Sequence, residues 1–284
     1  MKIGIEKLKA MIAEARDAGR AIPAYDTISY LQMDYAAAAA KEAGTPMMFM
    51  YLPLFEEIIS PKEFVALKDV LQEKYGIPLI THLDHSKSID LVERVIDAGF
   101  DSVMIDMSDR SFEENVRVTK EVVSIAHPRD VIVEAEIGHV GSGSRVEDYQ
   151  DSSLYTNVDE AAAFSKETGV ELLAVAIGNS HGVYVETPHL DIARLKELRA
   201  AVETPLVLHG TSLIPEDQVA DAVRNGIVKV NLCTEMVMAE MEAIEAGVKA
   251  GAHKSGGLLF TEKCVKPAMM EYFRNKIAVL MGKG

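Results

Sequence analysis

Several features that would restrict the fold or the location of the protein are missing from its sequence. It contains no tryptophan and only two cysteines, Cys233 and Cys264, among 284 residues. Two cysteines cannot build the disulfide framework of a small secreted domain, and such a low content is typical of a reducing compartment. No apolar run approaches the roughly 18 residues of a membrane-spanning helix, and residues 1–20 are charged and amphipathic, unlike a signal peptide. These absences predict a soluble, cytoplasmic protein.

Basic residues are scarce relative to acidic ones. The chain carries 29 Lys and Arg against 44 Asp and Glu, which gives a formal net charge of −15. A field of this sign repels polyanions, so we expect neither nucleic acid nor an anionic membrane surface as a partner. A small phosphorylated substrate would still be compatible with this charge, provided that backbone N–H groups, a metal or a few basic side chains give it a local seat.

The chain alternates short β-rich runs with longer stretches of helical spacing. The predicted strands are residues 21–26, 46–52, 78–85, 102–108, 131–138, 172–178, 205–210 and 227–234. The helical stretches that follow them are residues 30–42, 61–75, 88–98, 111–126, 158–168, 191–202, 215–225 and 235–250. Eight such units, with strands apolar at nearly every position, predict an α/β fold in which the strands close into a (β/α)8 TIM barrel. A doubly wound open sheet is the alternative, and the regularity of the eight units favours the barrel.

No linker or change in composition divides the chain, so we expect one barrel domain over residues 1–284. Residues 263–281 predict an additional C-terminal helix outside the eight units. The longest predicted loop, residues 138–157, is rich in Gly, Ser and Asp. A loop of this length in a compact barrel is usually functional or mobile.

Three histidines, His85, His181 and His209, lie at or just after the carboxyl ends of three of the predicted strands. In a TIM barrel the carboxyl ends of the strands meet at one face, which carries the chemistry. A single histidine at a strand end is most often a hydrogen-bonded structural residue. Three converging imidazoles, however, suit zinc and leave a fourth position open for a substrate oxygen. This pattern predicts a catalytic zinc site at that face.

Carboxylates and small polar residues accompany these histidines. Asp84 precedes His85, and a carboxylate near a metal-bound group can move protons. Asp106 and Glu136 could orient the histidines, act as alternative or second-site metal ligands, or form simple ion pairs. His82 is interpreted as a core histidine. The remaining candidates lie in the loops after strands seven and eight, where barrels commonly bind a phosphate. Helix capping is the simpler explanation for the small and hydroxylated residues there. These residues are Gly210, Thr211, Ser212, Asn231, Leu232, Cys233 and Thr234.

These residues stand in motifs that resemble the zinc-dependent class II fructose-bisphosphate and tagatose-bisphosphate aldolases. The likeness runs from strand one to about residue 250. The motifs that carry it are His-Leu-Asp-His at 82–85, Val-Glu-Ala-Glu-Ile-Gly at 133–138, Ala-Val-Ala-Ile-Gly-Asn-Ser-His-Gly at 174–182, Leu-Val-Leu-His-Gly-Thr-Ser at 206–212 and Lys-Val-Asn-Leu-Cys-Thr at 229–234.

The resemblance implies roles for individual residues. It implies His85, His181 and His209 as zinc ligands and Asp84 as the acid/base that transfers the proton. It also implies a seat for dihydroxyacetone phosphate made of Gly182, the 210–212 segment and the 231–234 segment. One Zn²⁺ per chain, a monovalent cation (Na⁺ or K⁺) held by loop carbonyls near Gly182 and Gly210, and a homo-oligomer (dimer or tetramer) are further expectations.

The sequence departs from the family at positions that bear on the substrate. Tyr25-Asp26 replaces the family's Phe-Asn, and an apolar segment, residues 51–55, replaces a Gly/Ser-rich one. The family's Asp-Pro-Arg segment, whose arginine holds the far phosphate, is absent, and Leu259 stands at the place of that arginine. The departures therefore concern the aldehyde half of the substrate.

The leading hypothesis is reversible cleavage of a ketose 1-phosphate or 1,6-bisphosphate of the fructose or tagatose type to dihydroxyacetone phosphate and an aldehyde. Glu147, in the long loop, is the candidate that protonates C3 of the enediolate. The alternatives are a family member whose substrate has a non-phosphate tail, such as a sulfonate or carboxylate, and a metal-dependent sugar-phosphate hydrolase or epimerase. A Schiff-base aldolase would need a desolvated lysine, for which Lys229 is the candidate. A non-catalytic binding protein is the remaining alternative.

Overall fold

Eight parallel strands close into a barrel in the computed structural model, which describes residues 2–282. The strands are β1 Ile22–Asp26, β2 Met47–Tyr51, β3 Leu79–Ser86, β4 Ser102–Ile105, β5 Ile132–Ile137, β6 Leu172–Val175, β7 Leu206–Leu208 and β8 Ile227–Leu232. Each strand pairs with its neighbour along the chain, and β8 pairs with β1 to close the ring. The predicted TIM barrel is therefore confirmed.

Helices surround the ring of strands. They are α1 Ile5–Asp17, α2 Tyr30–Ala43, α3 Pro61–Tyr75, α4 Ile89–Ala98, α5 Phe112–Ala126, α6 Glu147–Gln150, α7 Val158–Thr168, α8 Ile192–Ala201, α9 Glu216–Arg224, α10 Thr234–Lys249, α11 Ala252–Gly256 and α12 Lys266–Leu280. The helix predicted at the C-terminus corresponds to α12, which continues a short π-helical segment, Thr261–Val265. Within residues 2–282, none of the helices has the length and apolarity needed to span a bilayer.

Most predicted element bounds agree with the structure, and the carboxyl ends of strands differ most. β4, β6 and β7 end two or three residues earlier than the sequence pattern predicts. The ladder between β6 and β7 covers only two positions, Leu173↔Leu206 and Ala174↔Val207. Beyond that point the chain is still buried, so its composition resembles a strand although its backbone leaves the sheet. The residues after these strands form the loops that carry the site.

The inward faces of the strands change from apolar to polar along the barrel axis. At the amino end of the strands, Ile22, Ile80, Ile132 and Val207 form an interior cluster with residues of α1, which closes that end. Side chains on one face of a strand recur every second residue, so the positions two and four residues further along face the same interior. In β3 these positions are His82 and Asp84, and in β5 they are Glu134 and Glu136. The fold thus places a polar layer at the carboxyl end.

Candidate active site

The three predicted ligand histidines meet at the carboxyl end of the barrel. One ring nitrogen from each of His85, His181 and His209 lies within 4.8 Å of the others. The Nε2 atom of His85 is 3.0 Å from the Nδ1 atom of His209, and the ring of His181 packs edge-on against that of His85. Three imidazoles, one from the end of β3 and two from the loops after β6 and β7, therefore surround one point.

Carboxylates hold the outer nitrogens of two of these rings. The Nδ1 atom of His85 lies 2.9 Å from Asp106, and the Nε2 atom of His209 lies 2.8 Å from Glu134. An ionised carboxylate can only accept hydrogen bonds, so each ring donates its outer N–H, and its opposite nitrogen, once deprotonated, is free to bind a metal. The two free nitrogens are the pair that face each other at 3.0 Å.

This arrangement fits a tetrahedral zinc ion. Two nitrogen ligands of one such ion, each about 2.0–2.1 Å from the metal, lie about 3.3 Å apart. Histidine ligands of zinc commonly donate their other N–H to a carboxylate, which fixes tautomer and ring orientation, as Asp106 and Glu134 do here. The Oε2 atom of Glu136 is buried without a hydrogen-bond partner, 3.3 Å from the Nδ1 atom of His209. The donor set and the surplus of buried negative charge both suit a divalent cation.

The titration of the histidines reflects the same surplus of negative charge. Burial lowers the pKa of His85, but Asp84 and the bonded Asp106 outweigh it and raise the pKa to about 10. In His209, the bond to Glu134 and the nearby Glu136 carboxylate also outweigh burial and raise the pKa. Burial and the neighbouring imidazoles lower the pKa of His181 to about 3. Protons on two of the rings thus balance carboxylates that a metal would otherwise balance, and metal binding would release them.

The backbone at His85 adopts a conformation that residues other than glycine rarely adopt. Its φ angle is +47°, in the left-handed region. Such a backbone costs free energy in a non-glycine residue and persists where the surrounding structure enforces it. The turn falls where the pairing of β3 with β4 shifts register, between Leu83 and Ser86. It directs the ring of His85 towards His209.

Asp84 is buried beside the histidines. Its Oδ1 atom accepts a hydrogen bond of 3.0 Å from the amide of Asn231, and its Oδ2 atom is 4.0 Å from the Nε2 atom of His85. Burial raises the pKa of Asp84, but the charges of His85, His209 and Lys229 outweigh it and lower the pKa overall. Asp26 also lines the cavity, and burial together with Asp84 raises its pKa to about 8. Of these two carboxylates, Asp84 is therefore the one that remains ionised.

A second polar cluster lies deeper in the barrel. His82 is buried, its Nδ1 atom is 2.8 Å from the hydroxyl of Ser102, and burial lowers its pKa to about 3. The Lys229 ammonium is 2.9 Å from Glu134. The interpretation of His82 as a core histidine agrees with this position. Lys229 forms a buried ion pair below the histidines and does not line the cavity, so it lacks the free amine that a Schiff base requires.

The cavity above the histidines has a volume of about 410 Å³. Most residues of the predicted phosphate seat line it: Gly182, Gly210, Ser212, Asn231, Leu232, Cys233 and Thr234. Thr211 lies behind them and donates its hydroxyl to the carbonyl of Asn231. Cys233 precedes α10 without a capping bond from its side chain, so helix capping does not occupy the first N–H groups of α10. Those groups are available to an anion.

The other predicted residues take different positions. Asp106 and Glu136 line the cavity, joined by the hydroxyl of Ser108, and with His85 they form a second group of ligand atoms within 4.8 Å. Glu147 is exposed in α6 and does not line the cavity. Its neighbour Asp148 is buried and bonded to Arg145.

Two side chains at the rim of the cavity were not predicted from the sequence. They are His139 and Lys87, whose ammonium is 2.8 Å from Asp109. Nothing in the local pattern marks a rim residue in a long loop. Cys233, a predicted member of the phosphate seat, lines the cavity and donates its thiol to Asp26. A larger groove of about 940 Å³ lies beside α8 and α9, away from the histidines.

Known proteins resemble the chain over nearly its whole length. The family model for class-II fructose-bisphosphate aldolase matches residues 6–284. The uncharacterized protein YdjI of Escherichia coli (strain K12) is 37% identical over 246 residues, which are 87% of this chain and 86% of YdjI. The crystal structure of the YdjI aldolase from Escherichia coli K12 superposes with a TM-score of 0.85 at 33% identity, covering 98% of this chain and 97% of that one.

Two further crystal structures share the architecture. A putative fructose-1,6-biphosphate aldolase from Coccidioides immitis has a TM-score of 0.78 at 27% identity, covering 97% of this chain and 96% of that one. The fructose-bisphosphate aldolase of Campylobacter jejuni has a TM-score of 0.82 at 22% identity, covering 98% and 95%. At that identity the second likeness concerns the fold alone.

Proposed function

Because this chain belongs to the class II fructose-bisphosphate aldolase family, we propose that it catalyses the reversible, zinc-dependent cleavage of a ketose 1-phosphate between C3 and C4. The products are dihydroxyacetone phosphate and an aldehyde. One observation carries the proposal: three imidazole nitrogens converge within 4.8 Å beside an ionised, buried Asp84 at the floor of a cavity.

The metal would be held by His85, His181 and His209. A zinc ion bound there supplies Lewis-acid chemistry, because it polarises the substrate carbonyl and stabilises negative charge that develops on its oxygen. Asp106 and Glu134 keep the two bonded rings in the tautomers that leave a nitrogen free. The ligand set therefore has its orientation fixed before any substrate enters.

Asp84 performs the proton transfer in this proposal. In cleavage its carboxylate takes the proton of the C4 hydroxyl, the C3–C4 bond breaks, and the electron pair moves towards C2 to give an enediolate. In condensation the same proton returns to the C4 oxygen. Asn231 holds Asp84 through its amide at 3.0 Å. Protonation of C3 by Glu147 stays a prediction, and it requires Glu147 to approach the cavity from its exposed position in α6.

The phosphate of the substrate would lie at the loops after β7 and β8. The N-terminus of α10 contributes free N–H groups there, and the helix dipole favours a negative charge at the same point. Gly182 and Gly210 both have positive φ angles, +88° and +58°, and both line the cavity. An anion can thus be held by backbone groups alone, in a chain whose net charge is negative.

The opposite side of the cavity offers little to a second phosphate. Leu259 is exposed and, like the lysines at 254, 263 and 266, is not part of the lining. Apart from the proposed ligands, Lys87 and His139 are the basic side chains that line the cavity within the described residues, and Lys87 is already paired with Asp109. Leu52 adds an apolar wall. We therefore propose that the aldehyde half of the substrate is not held by the arginine with which the family binds a second phosphate.

The substrate preference tests this proposal. We expect fructose 1-phosphate to be cleaved with a kcat/KM within a hundredfold of the values for fructose 1,6-bisphosphate and tagatose 1,6-bisphosphate, because no arginine among residues 2–282 lines the cavity to hold a distal phosphate. Each charge-assisted bond from an arginine to a phosphate contributes about 1.5–3 kcal/mol. A preference for either bisphosphate above a hundredfold, about 2.7 kcal/mol in transition-state binding, would show that a distal phosphate site exists. It would refute the proposal that the substrate lacks a bound second phosphate.

Two other functions remain as alternatives to be excluded by product analysis. A tail that carries a sulfonate or carboxylate would use the same zinc and phosphate sites. A sugar-phosphate hydrolase or epimerase could use the same histidines and would yield inorganic phosphate or an isomer instead of an aldehyde. A homo-oligomer, dimer or tetramer, and a bound Na⁺ or K⁺ near Gly182 and Gly210 are part of the proposal by likeness to the family.

A further inference from the structure

The hydroxyl of Tyr184 lies between the two loops that carry His181 and His209. It accepts a hydrogen bond of 2.7 Å from the backbone N–H of Ser180 and donates one of 2.7 Å to the carbonyl of Gly210. Ser180 immediately precedes His181, and Gly210 immediately follows His209. A single hydroxyl therefore joins backbone groups adjacent to two of the three proposed ligands.

The strands themselves do not set the separation of these two loops. The ladder between β6 and β7 ends at Ala174↔Val207, seven residues before His181. Beyond that point, side chains make the connection: besides Tyr184, the amide of Asn179 donates to the carbonyl of His209 at 3.1 Å. The loops also touch directly, since a side chain at Gly210 would collide with the carbonyl of Ser180.

Tyr184 is itself held in place. Its ring packs edge-on against Tyr149, with centroids 5.0 Å apart. The backbone of His181 forms a short ladder with the long loop, donating to the carbonyl of Gly141 at 2.9 Å and accepting from the N–H of Gly143 at 2.7 Å. The connection between the two histidine loops is thus built on a supported side chain and not on a free one.

We infer that Tyr184 is a positioning residue that sets the distance between His181 and His209 and fixes Gly210 in the phosphate seat. The inference rests on the proposed function, since zinc is the ion that these histidines would bind. Without the hydroxyl, the N–H of Ser180 and the carbonyl of Gly210 lose a partner. The loops can then separate, and zinc must restore their geometry when it binds.

The test is the zinc affinity of metal-free Tyr184→Phe, measured by competition with a chromophoric chelator. The ring is retained, so its packing against Tyr149 is preserved. We expect the dissociation constant for Zn²⁺ to rise about 10–100-fold, the usual effect of removing a residue that supports a metal ligand. At saturating zinc, KM for fructose 1-phosphate should rise about tenfold, because Gly210 shifts, while kcat changes less than about threefold.

Tyr155→Phe is the matched control. The hydroxyl of Tyr155 donates to the carbonyl of Tyr149 at 2.9 Å and bridges no histidine loop. Its zinc affinity should stay within about twofold of the wild type. Equal losses in both variants, or an unchanged affinity in Tyr184→Phe, would overturn the inference. A wild type that does not bind zinc would instead refute the proposed function.

Asn179→Leu provides a second variant should Tyr184→Phe fail to fold. It removes the other bond between the two loops, from the Asn179 amide to the His209 carbonyl, at nearly constant side-chain size. The same mechanism predicts weaker zinc binding in this variant. Wild-type affinity in a folded Asn179→Leu protein would count against a role for the connection between the loops.

Discussion

Replacement of Asp84 by alanine is expected to lower kcat by about 10²–10⁴, the usual contribution of a positioned acid/base. The bound zinc should be retained, because the Asp84 carboxylate lies 4.0 Å from the Nε2 atom of His85 and the ligand rings are held by Asp106 and Glu134 instead. Steady-state cleavage of a ketose 1-phosphate gives kcat, and elemental analysis of the same preparation gives the zinc content.

Asp130→Asn is a suitable control for this prediction. Asp130 precedes β5 at the opposite end of the barrel, and its φ angle of +60° is one that asparagine adopts readily. Its kcat should lie within about twofold of the wild type. A kcat that barely changes in Asp84→Ala would assign the proton to another group. Loss of zinc together with activity would make Asp84 a structural part of the metal site.

Removal of the metal should abolish activity, with less than about 1% of the initial rate remaining. Three histidine rings create the site, and among the described residues no lysine or arginine at the floor of the cavity could replace the metal, because Lys229 is paired with Glu134 below it. Metal removal therefore takes away the stabilisation of the developing oxyanion. The measurement is the rate before and after dialysis against a chelator, with the zinc content followed in parallel.

Zinc added back should restore the rate at about one ion per chain. Magnesium provides the control, since it prefers oxygen ligands in octahedral geometry and should restore little. Full activity in a preparation verified to be metal-free would exclude the zinc mechanism. Borohydride trapping of the protein with substrate would then test Lys229 directly.

The barrel and the convergence of three histidines could be predicted from the sequence because both depend on regular patterns. Eight apolar runs alternating with helical stretches favour a closed parallel sheet, in which the carboxyl ends of the strands converge. His85, His181 and His209 lie at or after the ends of three such strands, and the structure brings them together. These predictions needed only strand order and approximate strand ends.

The remaining parts of the site depend on contacts between distant segments. Glu134 supports His209 across 75 residues of sequence, and Tyr184 reaches the loop of Gly210. The contact between Asp106 and His85, at 2.9 Å, likewise joins residues that are 21 positions apart. Loops lack the alternation of inward and outward side chains that gives the orientation of a strand residue. The position of Glu147 in α6, away from the cavity, could therefore not be predicted.

The most direct test of the zinc-dependent aldolase assignment is the release of dihydroxyacetone phosphate by the zinc-loaded protein from a panel of ketose 1-phosphates. A coupled dehydrogenase that reduces dihydroxyacetone phosphate reports each turnover. We predict release from at least one member of the panel, with one aldehyde formed per dihydroxyacetone phosphate and no inorganic phosphate. Release of inorganic phosphate, formation of an isomer, or no reaction with any member by protein of full zinc content would contradict the assignment.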